Sequence, residues 1–217
     1  MQMIRVRTHI LLLLALCIVA LAGCGGVSSG QAPTPTQPAG TPTQPAGAAG
    51  TEQPVPAVGS SQASGSDIPD TQVFVTYASA SGGYQLEVPE GWAQTTQAHT
   101  VSFVSNLNML QIALSSANTK PTATSVRNDI GATWQPIDRA VRDVQVSDVQ
   151  LSSGSAVLIT FTSNSDPNPV TNKQVRLENN RYLFYHNGKL ATLTLSAPVG
   201  ADNRDQWMRI AQSFKWV

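Results

Sequence analysis

Apolar and polar residues alternate with a period of two along much of the chain beyond residue 67, the pattern of strands buried on one face. Runs rich in β-branched and aromatic residues predict strands near 72–78, 84–88, 100–105 and 109–115. Ser79 to Gly83 is a turn signal, so the first two strands form an expected hairpin. The period then changes. Val126, Ile130, Trp134 and Ile137 fall at intervals of four, four and three, which puts them on one face of a helix over 122–135. Pro136 disfavours helical geometry at Gln135 and supplies the stop, while Gly131 costs about 1 kcal/mol relative to alanine and weakens the middle.

Strands resume near 142–151, 156–163, 173–186 and 189–197, with turns at 152–155, at 166–169 and at Asn187-Gly188. The Asn-Gly pair supplies the two positive φ angles of a type I′ hairpin. Tyr182 and Phe184 face one way and Leu183 and Tyr185 the other, so this strand is apolar on both faces and belongs mid-sheet, with layers above and below. A closing helix over 203–214, N-capped by Asp202, gathers Trp207, Ile210, Ala211 and Phe214 on one stripe. Asp205 in its first turn and Lys215 at its end suit the helix dipole. Many antiparallel strands with few helices give an α+β fold, an α/β/α sandwich around a central, mainly antiparallel sheet.

At this point the residues resemble a known family. Gly82-Gly83-Tyr84-Gln85-Leu86-Glu87-Val88-Pro89-Glu90-Gly91-Trp92, an aromatic strand ending in Pro-x-Gly-Trp, resembles the opening of PsbP-like domains. That fold is shared with Ran-binding nuclear import factors and with assorted bacterial lipoproteins. The closing hairpin and helix, ending Ser213-Phe214-Lys215, are similar to the end of the same fold. These are packing motifs, so no functional residue carries over. The resemblance implies a non-enzymatic adaptor or accessory domain. In photosystem members the N-terminal segment helps dock the domain and retain inorganic ions, whereas here that region is rich in Pro and Thr with one acidic residue.

Ahead of the domain lie two segments of other kinds. Arg5 and Arg7 precede an unbroken apolar run over 10–22, about the length of a signal-peptide core and too short to span comfortably a bilayer that asks for about 20 apolar residues. It stops at Leu21-Ala22-Gly23-Cys24, which looks like a bacterial lipobox, in which the Cys24 sulfur takes a diacylglyceryl group before cleavage. The alternatives are an ordinary cleaved signal peptide and a short uncleaved anchor. Residues 1–23 are thus expected to be a lipoprotein signal peptide, 24–66 the lipidated cysteine with a disordered stalk, and 67–217 the folded domain. From Gly25 to Ser66 the chain is almost only Gly, Ser, Ala, Thr, Pro and Gln, with Glu52 the lone charge, too little apolar surface to offset the entropy of ordering. A Thr-Pro-Thr-Gln-Pro-Ala-Gly unit beginning at Thr34 repeats at Thr41. About 40 such residues average about 35 Å end to end as a flexible coil and reach about 125 Å as polyproline II.

Composition narrows the function. The 13 basic and 13 acidic residues balance, and losing Arg5 and Arg7 with the leader makes the mature protein weakly acidic, with no clustered basic face for nucleic acid. Of the two cysteines Cys17 lies in the leader, so no internal disulfide is expected. Gly26-Val27-Ser28-Ser29-Gly30 matches the nucleophile pattern G-x-S-x-G, but that chemistry needs a strained strand-to-helix turn, not a stalk. His99 and His186 have no other ligand at metal-binding spacing, and Asp138, Arg139, Arg142 and Asp143 read as a solvated mixed-sign cluster. No cofactor, no metal and no enzymatic activity are expected. Trp92, Trp134 and Trp207 read as core, while Trp216 either packs on the sheet or offers an aromatic contact to a partner. The expected role is a non-catalytic protein-binding or accessory module, lipid-anchored at the extracytoplasmic face of a bacterial membrane. The alternative is a carrier of a lipid or other small apolar ligand, in a cleft lined by residues such as Trp134, Leu183 and Tyr185.

Overall fold

The computed structural model describes residues 52–59 and 66–217. The hairpin Phe74–Ser79 (β1) and Tyr84–Pro89 (β2) leads into Ala93–Gln97 (β3), Thr100–Ser105 (β4) and Asn108–Ser116 (β5). A short helix, Ala123–Asn128 (α1), and a 3-10 turn, Ile130–Thr133, carry the chain to Arg139–Leu151 (β6) and Gly154–Asn164 (β7). Arg176–His186 (β8), Lys189–Pro198 (β9), Arg204–Ser213 (α2) and Lys215–Trp216 (β10) complete it. Seven strands form the main sheet in the order β3-β4-β5-β9-β8-β7-β6, and β1-β2-β10 form a smaller one. All of these pairings are antiparallel.

Two apolar layers lie against the main sheet. On one face Phe103, Leu110, Tyr182, Phe184 and Leu195 pack against Tyr84 and Leu86 of β2 and against Trp207, Ile210 and Phe214 of α2. On the other, Val157, Ile159, Phe161 and Leu183 pack against Val126 of α1, with Ile130 and Trp134 beside them. β8 feeds both layers, because alternate side chains of a strand point to opposite faces. The fold is therefore α+β, as the pattern implies, with the small sheet sharing one outer layer with α2. Asn187 and Gly188 have φ of 45° and 80°, both in the left-handed region that the tight β8–β9 hairpin requires.

Four details differ from the pattern. The helix expected over 122–135 is broken: Thr122 caps it in a reciprocal box with Ser125, and it ends at Asp129, just before Gly131, to continue as the 3-10 turn. Asn203, not Asp202, stands at the N-cap of α2, and its side chain does not cap. Its Oδ1 accepts from Ile68 N at 2.6 Å and its Nδ2 donates to Asn108 Oδ1 at 2.9 Å, tying the entry of the domain to the start of β5. β3 carries no apolar alternation because all five of its residues are exposed. β10 is two residues long, too short for any periodicity to show, yet it pairs Lys215 and Trp216 with Gln85 and Tyr84.

Candidate functional site

The two edges of the main sheet differ in chemistry. β6, at one end, has two register shifts against β7 and carries Arg139, Arg142, Asp143 and Asp148. Bulges and charges of this kind are how natural sheets prevent edge-to-edge association. β3, at the other end, pairs residue for residue with β4 without a shift, and its sequence Ala93-Gln94-Thr95-Thr96-Gln97 contains no charge and no proline. Its outward backbone groups have no strand partner among the described residues. The sheet face beside it is also open. Thr95, Ser102 and Gln111 lie in register across β3, β4 and β5, with Gln111 Nε2 donating to Ser102 Oγ at 3.1 Å, and none of the three is buried.

Beneath the 3-10 turn lies a buried ion pair. Arg181 Nη1 donates to Asp138 Oδ2 at 2.7 Å and Nη2 to Oδ1 at 3.0 Å, with side-chain exposures of 0% and 2%. Arg181 also donates to Thr133 O and Thr194 Oγ1, and its guanidinium lies 4.9 Å from the centre of the Phe161 ring. The expected solvated cluster of Asp138, Arg139, Arg142 and Asp143 is thereby corrected. The turn after Pro136 folds Asp138 inward over the sheet, while Arg139 and Asp143 find partners at the edge: Glu52 for the first and Thr162 for the second. Arg181 was not singled out from the sequence, although the strand period that puts it on the same inward face of β8 as Leu183 is the signal that marks it.

At the β6–β7–β8 end of the sheet, Arg139, Asn164 and Arg176 are in register. Asn164 is fully buried and Arg176 is 6% exposed. The segment 52–59 crosses this end. Asn164 Nδ2 donates to Gln53 O at 2.9 Å and to Glu52 Oε1 at 3.0 Å, while Asn164 Oδ1 accepts from Val55 N at 3.0 Å and Arg176 Nη1 at 3.0 Å. Gln174 Nε2 donates to Glu52 Oε1 at 2.7 Å and Arg139 Nη2 pairs with Glu52 Oε2 at 2.9 Å. Composition placed these residues in the stalk, and the structure places them against the domain, because one carboxylate and two backbone groups meet a preset polar surface.

Two clefts bear on an apolar ligand. Leu183 and Tyr185 line a cleft of about 240 Å³ beside Lys120, Asp148 and Ser155, below the roughly 300–1,000 Å³ usual for small-molecule sites. Trp134 does not line it and packs edge-on against Phe161 at 5.2 Å. A wider hollow of about 460 Å³ along α2 is lined by Glu87, Asp205, Arg209 and Gln212, a charged wall unsuited to a lipid. Trp216 stacks on His186 at 6.0 Å and meets Phe214 edge-on at 5.3 Å, so its ring packs on the domain while one side stays accessible. His99 and His186 are exposed, and no group of three or more His, Cys, Asp or Glu among the described residues is placed to hold a metal ion. Leu21, Ala22, Gly23, Cys24 and Ser28 lie outside the described residues.

No family profile matches the chain, and no curated protein matches it. Solved structures do. The cyanobacterial PsbP of Synechocystis is similar at 16% identity with a TM-score of 0.46, covering 70% of this chain and 98% of that one. A Bacteroides thetaiotaomicron protein has 8% identity and a TM-score of 0.44, covering 65% of this chain and 48% of that one. The Saccharomyces cerevisiae Ran-binding protein Mog1p has 7% identity and a TM-score of 0.43, covering 66% and 95%. These likenesses concern the PsbP/Mog1-like arrangement of strands and helices.

Proposed function

We propose that this protein is a lipoprotein, anchored through Cys24 at the extracytoplasmic face of a bacterial membrane, whose domain is a non-catalytic module that docks a partner protein. The observation that carries the docking reading is β3. An unbulged, uncharged edge whose backbone donors and acceptors no described strand pairs is the template that strand addition uses, in which main-chain hydrogen bonds give affinity and flanking side chains give specificity. The partner therefore contributes an extended segment that lies beside Ala93–Gln97, with side chains reaching the open face at Thr95, Ser102 and Gln111. A lipid anchor keeps such a weak edge at high effective concentration near membrane partners.

Two measurements test the two halves. A photo-crosslinking side chain at Thr95 is expected to capture the partner, one at the exposed Met208 of α2 is not, and adding Gln94→Lys with Gln97→Lys to the Thr95 probe chain is expected to abolish capture. Equal crosslinking from Thr95 and Met208, or capture that survives the lysines, overturns the docking reading. Cys24→Ser is expected to abolish incorporation of labelled palmitate, and undiminished labelling refutes the anchor.

A further inference from the structure

The contacts made by 52–59 have the chemistry of a receptor and its ligand. Asn164 reads backbone: one amide donates to the carbonyl of Gln53 and accepts from the N–H of Val55, a two-point clamp that any extended peptide without proline at the second point satisfies. Arg139 and Gln174 read charge, through the two carboxylate oxygens of Glu52. The receptor side is set from within. Arg176 holds Asn164 Oδ1 and is fixed by Ala140 O and Thr162 Oγ1, while Gln174 is fixed by Ser165 O. Arg139 Nε is buried without a hydrogen-bond partner, so the cation has donor capacity beyond its present ligand.

The ligand side is lightly held. No residue of 52–59 is buried, so no core packing fixes the segment. Side-chain exposures of 36% for Arg139 and 29% for Glu52 leave their ion pair open to screening by salt. Burial pushes the Glu52 carboxyl up, but hydrogen bonds from Asn164, Gln174 and Arg139 outweigh it and hold the group below its ordinary value. Pro54 and Pro56 bias the segment to extended geometry and reduce the ordering cost of docking.

We propose that Arg139, Asn164 and Gln174 form a binding site for an extended peptide of a partner protein, one bearing a carboxylate side chain next to the residue whose carbonyl Asn164 holds, and that 52–59 fills this site in cis as a displaceable strap. The site lies at the edge of the sheet opposite β3, so it stands or falls separately from strand addition there. Release of the strap frees the clamp for the partner peptide.

The test uses the full chain and a dye-labelled synthetic peptide of sequence 52–59, followed by fluorescence anisotropy. In Glu52→Lys the strap loses its anchor, and this chain is expected to bind the peptide at least about tenfold tighter than the wild type, in which a tethered competitor occupies the site. Adding Arg139→Ala, a substitution at a partly exposed position that offers the lysine of Glu52→Lys no counter-charge, is expected to weaken peptide binding by at least about tenfold. Absence of binding to Glu52→Lys, or binding indifferent to Arg139→Ala, overturns the proposal and leaves 52–59 as a fixed part of the fold. Light scattering adds an arm: a wild-type dimer that Glu52→Lys converts to monomer means the strap is exchanged between copies, and the cis assignment falls.

Discussion

Asp138→Ala is expected to lower the free energy of unfolding by about 3–5 kcal/mol, measured by urea unfolding followed through tryptophan fluorescence. The size follows from what the substitution leaves behind. Arg181 is fully buried, and its remaining partners, Thr133 O, Thr194 Oγ1 and the Phe161 ring, carry no negative charge. A guanidinium without a counter-charge in that setting is far costlier than a lost surface pair, which is worth about 0–1 kcal/mol. The backbone also loses a contact, since Gln135 N donates to Asp138 Oδ2 at 2.6 Å where the 3-10 turn gives way to β6. Combining Asp138→Ala with Arg181→Met removes both charges and is expected to recover most of the loss, because apolar replacements of buried pairs are often neutral or stabilising. Equal losses in the single and double variants mean that the unpaired cation is not the cause.

Phe214→Ala is expected to cost about 3–5 kcal/mol, the range for deleting a buried aromatic ring. Phe214 is 1% exposed and joins three elements at once. Its ring stacks on Phe184 of β8 at 4.2 Å and on Tyr84 of β2 at 5.8 Å, and it meets Trp216 of β10 edge-on at 5.3 Å. The same substitution is therefore expected to loosen β10, read as a change in Trp216 emission before global unfolding. A loss below about 1 kcal/mol, the centre of ordinary point substitutions, means the aromatic stack is not what joins the small sheet to the main one.

Much of the fold was legible because strands with one buried face announce themselves. Eight of the ten described strands coincide with predicted runs, and the two-faced pattern of Tyr182 to Tyr185 located the middle of the sheet. β3 was silent because an edge with no buried side chain has no period to display, and β10 because two residues cannot show one. The candidate surfaces were harder to see for the same reason. Edge chemistry depends on which strand ends the sheet, and that order is set by contacts such as Met109 with Ser196, far apart in sequence. Asn164 and Glu52 lie more than a hundred positions apart, so nothing local marks one as the receptor of the other. Arg181 carried a local signal that went unused, since an arginine on an apolar strand face calls for a hidden counter-charge.

The pairing of β10 with β2 bears on how the chain is made. β2 and the stack around Tyr84 wait for Phe214 and Trp216, which emerge from the ribosome some 130 residues later, a separation that the Lys215–Gln85 and Trp216–Tyr84 registers set directly. Until synthesis reaches that point, Tyr84 lacks its stack on Phe214 and the first core stays unsealed. The register of the last two strand residues thus decides when the first core can close.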